Sequence, residues 1–215
     1  MKAVTEKFVN DFFSRHNGLA CIRSDIEQAA SAWTAAFEHG GKLLLCGNGG
    51  SCADCDHIAG ELLKGFLLKR PVSPELAERL TAMHGEDGAF LARSLQTGLP
   101  AISLAAHSAA LSAFANDVDP ALVYAQQVLA YGREGDVLVA ISTSGSAENV
   151  NYAVKTAKTL GISTIGLTGR DGGKLKENCE ICIVSPEKET YRIQEDHLAI
   201  YHLLCAVTEL EAFAK

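Results

Sequence analysis

Between Lys42 and Glu61 the sequence reads KLLLCGNGGSCADCDHIAGE, and these residue types could make a site for a small anionic molecule. Leu43, Leu44, Leu45 and Cys46 form a short apolar run of the kind buried in a parallel sheet. GNGGS is a turn that leaves backbone amides exposed, and a helical polar–apolar period follows it. A strand, a glycine turn and a helix N-terminus together direct N–H groups and the positive end of a helix dipole at one point, where an anion can sit. His57 and Glu61 lie four residues apart, so one face of that helix carries an imidazole and a carboxylate just beyond the anion site. The chemistry expected is on a small phosphorylated molecule.

A second donor cluster is Ser142-Thr143-Ser144-Gly145-Ser146, between the apolar run DVLVAIS and a helix that begins near Ala147. One serine there would be a helix cap, but four hydroxyls in five residues, with free amides beside them, suit a phosphate without any lysine. Asn116 and Asp117 read either as caps of a helix end or as groups that reach the hydroxyls of a polyol. Gly169, Arg170, Asp171, Gly172 and Gly173 read as a tight turn.

These groups need a frame. Besides the first apolar run, strands are expected at Pro100 to Leu104, Asp136 to Ser142, Ser163 to Leu167 and Glu180 to Val184, each separated by a helical segment long enough for a right-handed crossover. The fold class is therefore α/β, a three-layer, doubly wound, five-stranded parallel sheet in one domain over residues 1–215, with ligands at the carboxyl ends of the strands. Helices over Val4 to Arg15 and Ala20 to His39 carry apolar stripes (Ile22, Ile26, Ala29, Trp33, Phe37) that pack on the sheet or in oligomer contacts. Arg70 to Gly98, punctuated by Pro71, Pro74, Gly85, Gly88 and Gly98, reads as two short helical pieces, a surface insertion or lid at 71–98. A last helix, Thr190 to Ala214, brings Gln194, His197 and His202.

Composition narrows the function. With 215 residues, 47% of them hydrophobic, the chain can bury a full core. A formal charge of −7 offers no basic patch for a nucleic-acid backbone. No run reaches the roughly 18 apolar residues of a membrane span, so no membrane partner and a cytoplasmic location are expected. The seven cysteines are an odd number scattered through expected strands and helices, which suits free thiols in a reducing compartment. Cys52 with Cys55 and Cys179 with Cys182 have CxxC spacing. They are read as buried thiols in preference to a four-cysteine zinc site or a redox pair at the helix start.

Taken in order, GNGGS followed by His-x3-Glu, then ANDV, AISTSGS, GLTGRDGGK and RIQEDH, resemble the sugar isomerase (SIS) domain family, and within it the phosphoheptose isomerases. The resemblance runs from about Phe37 to Leu210. It implies an aldose–ketose isomerisation of sedoheptulose 7-phosphate to D-glycero-D-manno-heptose 7-phosphate in a cytoplasmic homotetramer that binds zinc. The metal would be held by His57, Glu61, Gln194 and His202. Substrate contacts would come from Asn48, Gly49, Gly50, Ser51, Asn116, Asp117, Ser142, Thr143 and Ser144, with Glu61 and Gln194. Glu61 would be the base and His202 the acid of a proton transfer through an enediol, with Glu61 as ligand or base at different steps.

Three features differ from the family pattern. Ser146 and Ala147 stand where it has Asn-Ser, Lys64-Gly65-Phe66 stand where it has an arginine, and the stretch from Pro71 to Gly98 is longer. Gln194 and His202 are eight residues apart, about 12 Å of helical rise, which makes His197 a competing ligand. The alternatives are a non-catalytic SIS-family partner of a replication initiator, and a sensor or isomerase of another sugar phosphate.

Overall fold

The computed structural model describes residues 1–214. Helices α1 (Ala3–Arg15) and α2 (Arg23–Glu38) lead into strand β1 (Leu43–Gly47), helix α3 (Gly50–Leu63), helix α4 (Pro74–Ser94), strand β2 (Ala101–Ser103), and helices α5 (Ser108–Asp117) and α6 (Val123–Tyr131). Strand β3 (Val137–Ile141), helix α7 (Glu148–Thr159), strand β4 (Ser163–Thr168), helix α8 (Gly173–Asn178), strand β5 (Ile181–Val184) and helix α9 (Thr190–Phe213) complete the order. The sheet is parallel throughout, in the order β2-β1-β3-β4-β5. All five strands fall where the apolar runs place them. The second helical stripe is instead split, a 3-10 stretch over Asn17–Ile22 preceding α2.

Burial on both faces explains the continuous apolar strands. Leu43, Leu45, Val137 and Val139 point to one face, where Phe12, Trp33, Ile58 and Leu204 from α1, α2, α3 and α9 cover them. Leu44, Cys46, Leu138 and Ala140 point to the other, under Val128, Val150 and Val154 from α6 and α7. Three layers result, as expected. A strand alternating polar and apolar residues would expose one of these faces to water.

The strand order fixes the place of the site. From β1 the chain moves outward to β2 and then returns to the other side of β1 to lay down β3. The crevice at this switch point lies at the carboxyl ends of β1 and β3, and these strands end in GNGGS and STSGS respectively. Segment 71–98 is almost wholly exposed. Its two helical pieces meet at Gly85, whose φ of 57° breaks the helix, and a side chain on Gly88 would strike the Leu80 carbonyl, so the pieces fold back on each other.

Gly145, with φ of 65°, lies so close to the Gly172 carbonyl that a Cβ there would collide with it. The serine loop and the GRDGG loop are thus packed backbone to backbone, and the latter is more than a turn. Gly145→Ala should cost about 1–3 kcal/mol of folding stability, measured by urea unfolding, through left-handed strain plus displacement of the neighbouring loop.

Candidate active site

The two strand-end loops form one donor surface. Among the described residues, the backbone N–H groups of Asn48, Gly49, Gly50, Thr143 and Ser144 have no protein acceptor, while the loop carbonyl of Gly145 is taken by Leu175 and Asn151. Donors left free at the end of a sheet and the start of a helix suit an anion's oxygens. Asn48 and Asn149 exchange amide hydrogen bonds of 2.8 and 3.0 Å across the crevice, holding the loops in register. Tyr124 adds a hydroxyl bond of 2.5 Å to the Gly47 carbonyl. Ser51 and Ser142 are buried here, and Thr143 and Ser144 are half-buried.

Further along α3 the reactive side chains converge. His57 Nε2 lies 3.3 Å from Glu61 Oε1 and 3.5 Å from His202 Nε2, although the two histidines are 145 residues apart in sequence. His57 Nδ1 is 2.8 Å from the Tyr201 hydroxyl, which orients the ring from behind. Burial, with the Asp54 carboxylate nearby, pushes the Tyr201 phenol up, so it keeps its proton. Glu61 divides its oxygens. Oε1 faces His57, while Oε2 accepts from Lys64 Nζ at 2.8 Å. The Lys64 hydrogen bond and charge hold the Glu61 carboxyl below the usual carboxylate range, and burial followed by the charge of His57 pushes the His202 imidazole down. A carboxylate that is ionised beside an imidazole that is neutral at neutral pH can share out a proton transfer.

The donor chemistry also fits a zinc ion. Neighbouring ligands of a tetrahedral zinc at bond lengths of about 2.0–2.2 Å lie about 3.3–3.5 Å apart, and the two donor separations at His57 match that spacing. Among the described residues, however, no group of three or more His, Cys, Asp or Glu side chains is arranged to hold a metal ion, so the match is one of donor type and of two separations only. Gln194 stands one level away, its amide so close to Gly50 that any Cβ there would overlap it. The eight-residue spacing on α9 therefore places Gln194 at the helix start that faces the anion site and His202 beside His57. The competing histidine points elsewhere. His197 is fully buried, with Nε2 3.1 Å from the Thr168 carbonyl.

Asn116 and Asp117 are not drawn into this cluster. They lie exposed at the end of α5, bonded to each other at 2.9 Å, and the cap of the next turn is Asp119. The cysteines are all free, and burial holds the Cys55 thiol well up and pushes Cys179 and Cys182 to about 12 and about 11, against a thiolate pair in either CxxC. Reading the sequence also misses several contributors. Tyr201 and Phe66 contact the histidines, Phe66 stacking on His202 with ring centroids 5.7 Å apart. Arg170, at a left-handed φ of 58°, and Lys188 line an open pocket of 690 Å³ with Ser144 and Ser146. The Gly-Arg-Asp-Gly-Gly run marks a turn, but nothing in it singles out Arg170 as the residue that takes the left-handed conformation.

Comparison with known proteins gives a family to this geometry. The SIS domain profile matches residues 9–96 and 88–169. A phosphoheptose isomerase of Clostridium acetobutylicum is 39% identical over 180 residues, covering 84% of this chain and 79% of its own. The structure of phosphoheptose isomerase from Neisseria gonorrhoeae superposes with a TM-score of 0.72 at 33% identity, covering 96% of both chains. A phosphoheptose isomerase from Francisella tularensis does so with 0.74 at 30% identity, covering 97% of this chain and 98% of that one.

The placement of His197 has a pH signature. Burial lowers its pKa to about 4, from an ordinary value near 6.5, so the unfolded chain binds a proton that the folded chain refuses throughout that interval. Stability from this group is complete above about pH 6.5 and is lost as the pH falls toward 4, by about 3 kcal/mol in all. In urea unfolding at pH 7 and pH 4, His197→Gln should lose less stability on acidification than the unsubstituted protein, by about that amount.

Proposed function

The chain belongs to the SIS domain family, among its phosphoheptose isomerases, and from that membership and the geometry of the site we infer an aldose–ketose isomerase that converts sedoheptulose 7-phosphate to D-glycero-D-manno-heptose 7-phosphate. The observation that carries this reading is the convergence of His57, Glu61 and His202 on one side of a helix that is entered through the unpaired amides of Asn48, Gly49 and Gly50. Seven residues of helix, about 10 Å of rise, separate Gly50 from His57. An extended seven-carbon chain with a terminal phosphate spans such a gap, and a shorter sugar spans it less well.

Each group then has a task. The amides of Asn48 to Gly50, with Ser51 and the Ser142 to Ser144 loop, hold the phosphate as neutral donors. Glu61, kept ionised by Lys64, takes a proton from C1 of the ketose through Oε2 once Lys64 moves aside, and the freed electron pair forms the C1–C2 double bond as O2 accepts a proton from His202. The enediol then returns to the aldose. C2 receives the proton from Glu61 and His202 recovers one from O1. Gln194, at the helix start, is placed to meet the sugar between its phosphate and its carbonyl. Zinc held by His57, Glu61 and His202, joined by Gln194 only if that side chain swings away from Gly50 toward them, would polarise the carbonyl and so lower the barrier to enolisation.

The reading extends to a cytoplasmic homotetramer. Seven thiols without a disulfide support the compartment. An apolar cleft of 380 Å³ between α1, the loop after α3 and α9, bordered by Phe8, Phe12, Phe66 and His202, supports assembly through the N-terminal helices. Asn116 and Asp117 would meet the sugar hydroxyls only if α5 closes over the crevice.

Incubated with a panel of five-, six- and seven-carbon ketose phosphates, the protein should form aldose fastest from sedoheptulose 7-phosphate, and no turnover of any would end the reading. Glu61→Gln should lower kcat at least about 100-fold with the oligomer unchanged in light scattering. Metal analysis of protein purified without chelator should find about one zinc per chain, and His57→Ala should lose it.

A further inference from the structure

Next to the reacting groups, with no role in the chemistry above, lies a buried ion pair. Arg70 and Glu209 are 1% and 0% exposed, with Arg70 Nε 2.6 Å from Glu209 Oε1. The Glu209 carboxylate also accepts the backbone N–H groups of Phe66, Leu67 and Leu68 at 2.8, 2.6 and 3.0 Å. On the other side the Arg70 guanidinium donates to the carbonyls of Leu62 at 2.7 Å and Glu61 at 3.5 Å, with the Phe213 ring beneath it.

We propose that Arg70 and Glu209 are positioning residues for the acid–base pair, the guanidinium fixing the backbone that carries Glu61 and the carboxylate fixing the loop whose Phe66 ring lies on His202. The proposal rests on the isomerase reading. Its physical basis is that the last carbonyls of α3 have no partner within the helix and stand at its negative end, where a buried cation both satisfies and orients them. Phe66, held by its own amide, stacks on His202 at an interplanar angle of 28°. Glu209 follows His202 by seven residues, two turns along the same face of α9, so a single helix carries the acid and the clamp.

Stability alone does not call for charge here. Buried ion pairs replaced by apolar residues of similar volume are often as stable or more so. The apolar alternative would leave three loop amides and the Glu61 carbonyl without partners and the Leu62 carbonyl with Leu99 N–H alone, and these are the groups next to the reacting side chains. The same loop is tied to the far end of segment 71–98, since Arg70 O accepts from Thr97 N at 2.7 Å and Gly65 N donates to Gln96 Oε1 at 2.9 Å. The clamp thus also fastens the base of the helical hairpin.

Two variants test this. Arg70→Met/Glu209→Leu removes the pair, and Phe66→Ala leaves the pair intact while removing the ring from His202. Each is followed by urea unfolding, by kcat and KM with sedoheptulose 7-phosphate, and by the NMR shifts of the His202 ring protons, which the Phe66 ring current displaces. The double variant leaves those backbone groups unpaired, so it should unfold at a lower urea concentration while staying folded in its absence, and it should show a kcat about 10–100-fold lower with KM little changed and altered His202 shifts. Phe66→Ala should move kcat and the shifts in the same direction. A folded double variant with unchanged kcat and shifts overturns the proposal. If the double variant does not fold, an unchanged kcat in Phe66→Ala overturns it instead. Should the unsubstituted protein turn over no ketose phosphate, the isomerase reading fails separately, and the His202 shifts still decide whether the pair positions the imidazole.

Discussion

The site depends on the register between two parallel helices. Gly50 on α3 meets Gln194 on α9, and seven residues later on each helix His57 meets Tyr201 and its neighbour His202. Seven residues is nearly two whole turns, so the same faces meet again one level further on. A slip of one residue would turn each α9 side chain by about 100° and carry His202 away from His57. That slip is resisted from both ends. Gly50 has no side chain, which lets the Gln194 amide lie against it, and Arg70 joins the end of α3 to Glu209 on α9. Between these points α9 is buried along most of its length, with Ile200, Leu203, Leu204 and Val207 in the core.

Electrostatics explains how a chain of net charge −7 can receive an anion. The donors at the crevice are backbone amides and hydroxyls, whose partial charges are fixed by the fold and carry no counter-charge to be removed on binding. The full charges stand further off. Lys64 lies on Glu61, and Arg170 and Lys188 lie at the rim of the pocket beside Ser144 and Ser146. Lys64 has a double effect. It keeps Glu61 ionised, and in the proposed proton transfer it must leave Oε2 before that oxygen can take a proton.

Much of this was legible in the sequence because it is local. Strands covered on both faces are continuous apolar runs, and the glycine and serine runs after the first and third mark the switch point of the sheet. The four-residue spacing of His57 and Glu61 places them together on any helix. The eight-residue spacing of Gln194 and His202 correctly argues that they stand at different levels of α9. What the sequence could not show comes from distant pairings. No spacing reveals that Tyr201 lies behind His57, that Glu209 gathers the amides of a loop some 140 positions earlier, or that the GRDGG turn supports the serine loop. His197 illustrates the converse. Three residues from Gln194, it looked well placed as a ligand, but its side of the helix faces the sheet and its ring is bonded to the Thr168 carbonyl.

In the proposed reaction a carboxylate and an imidazole on facing helices move a proton between adjacent carbons of a phosphorylated sugar. The most direct measurement is isomerisation of sedoheptulose 7-phosphate in deuterium oxide, run to equilibrium and read by NMR of the aldose. Solvent deuterium should be found on C2 of the aldose formed by the unsubstituted protein. Aldose held at equilibrium through many turnovers, during which a carboxyl proton on Glu61 exchanges with solvent, yet without any deuterium on C2 would mean that hydrogen passed directly from carbon to carbon, and it would contradict the account.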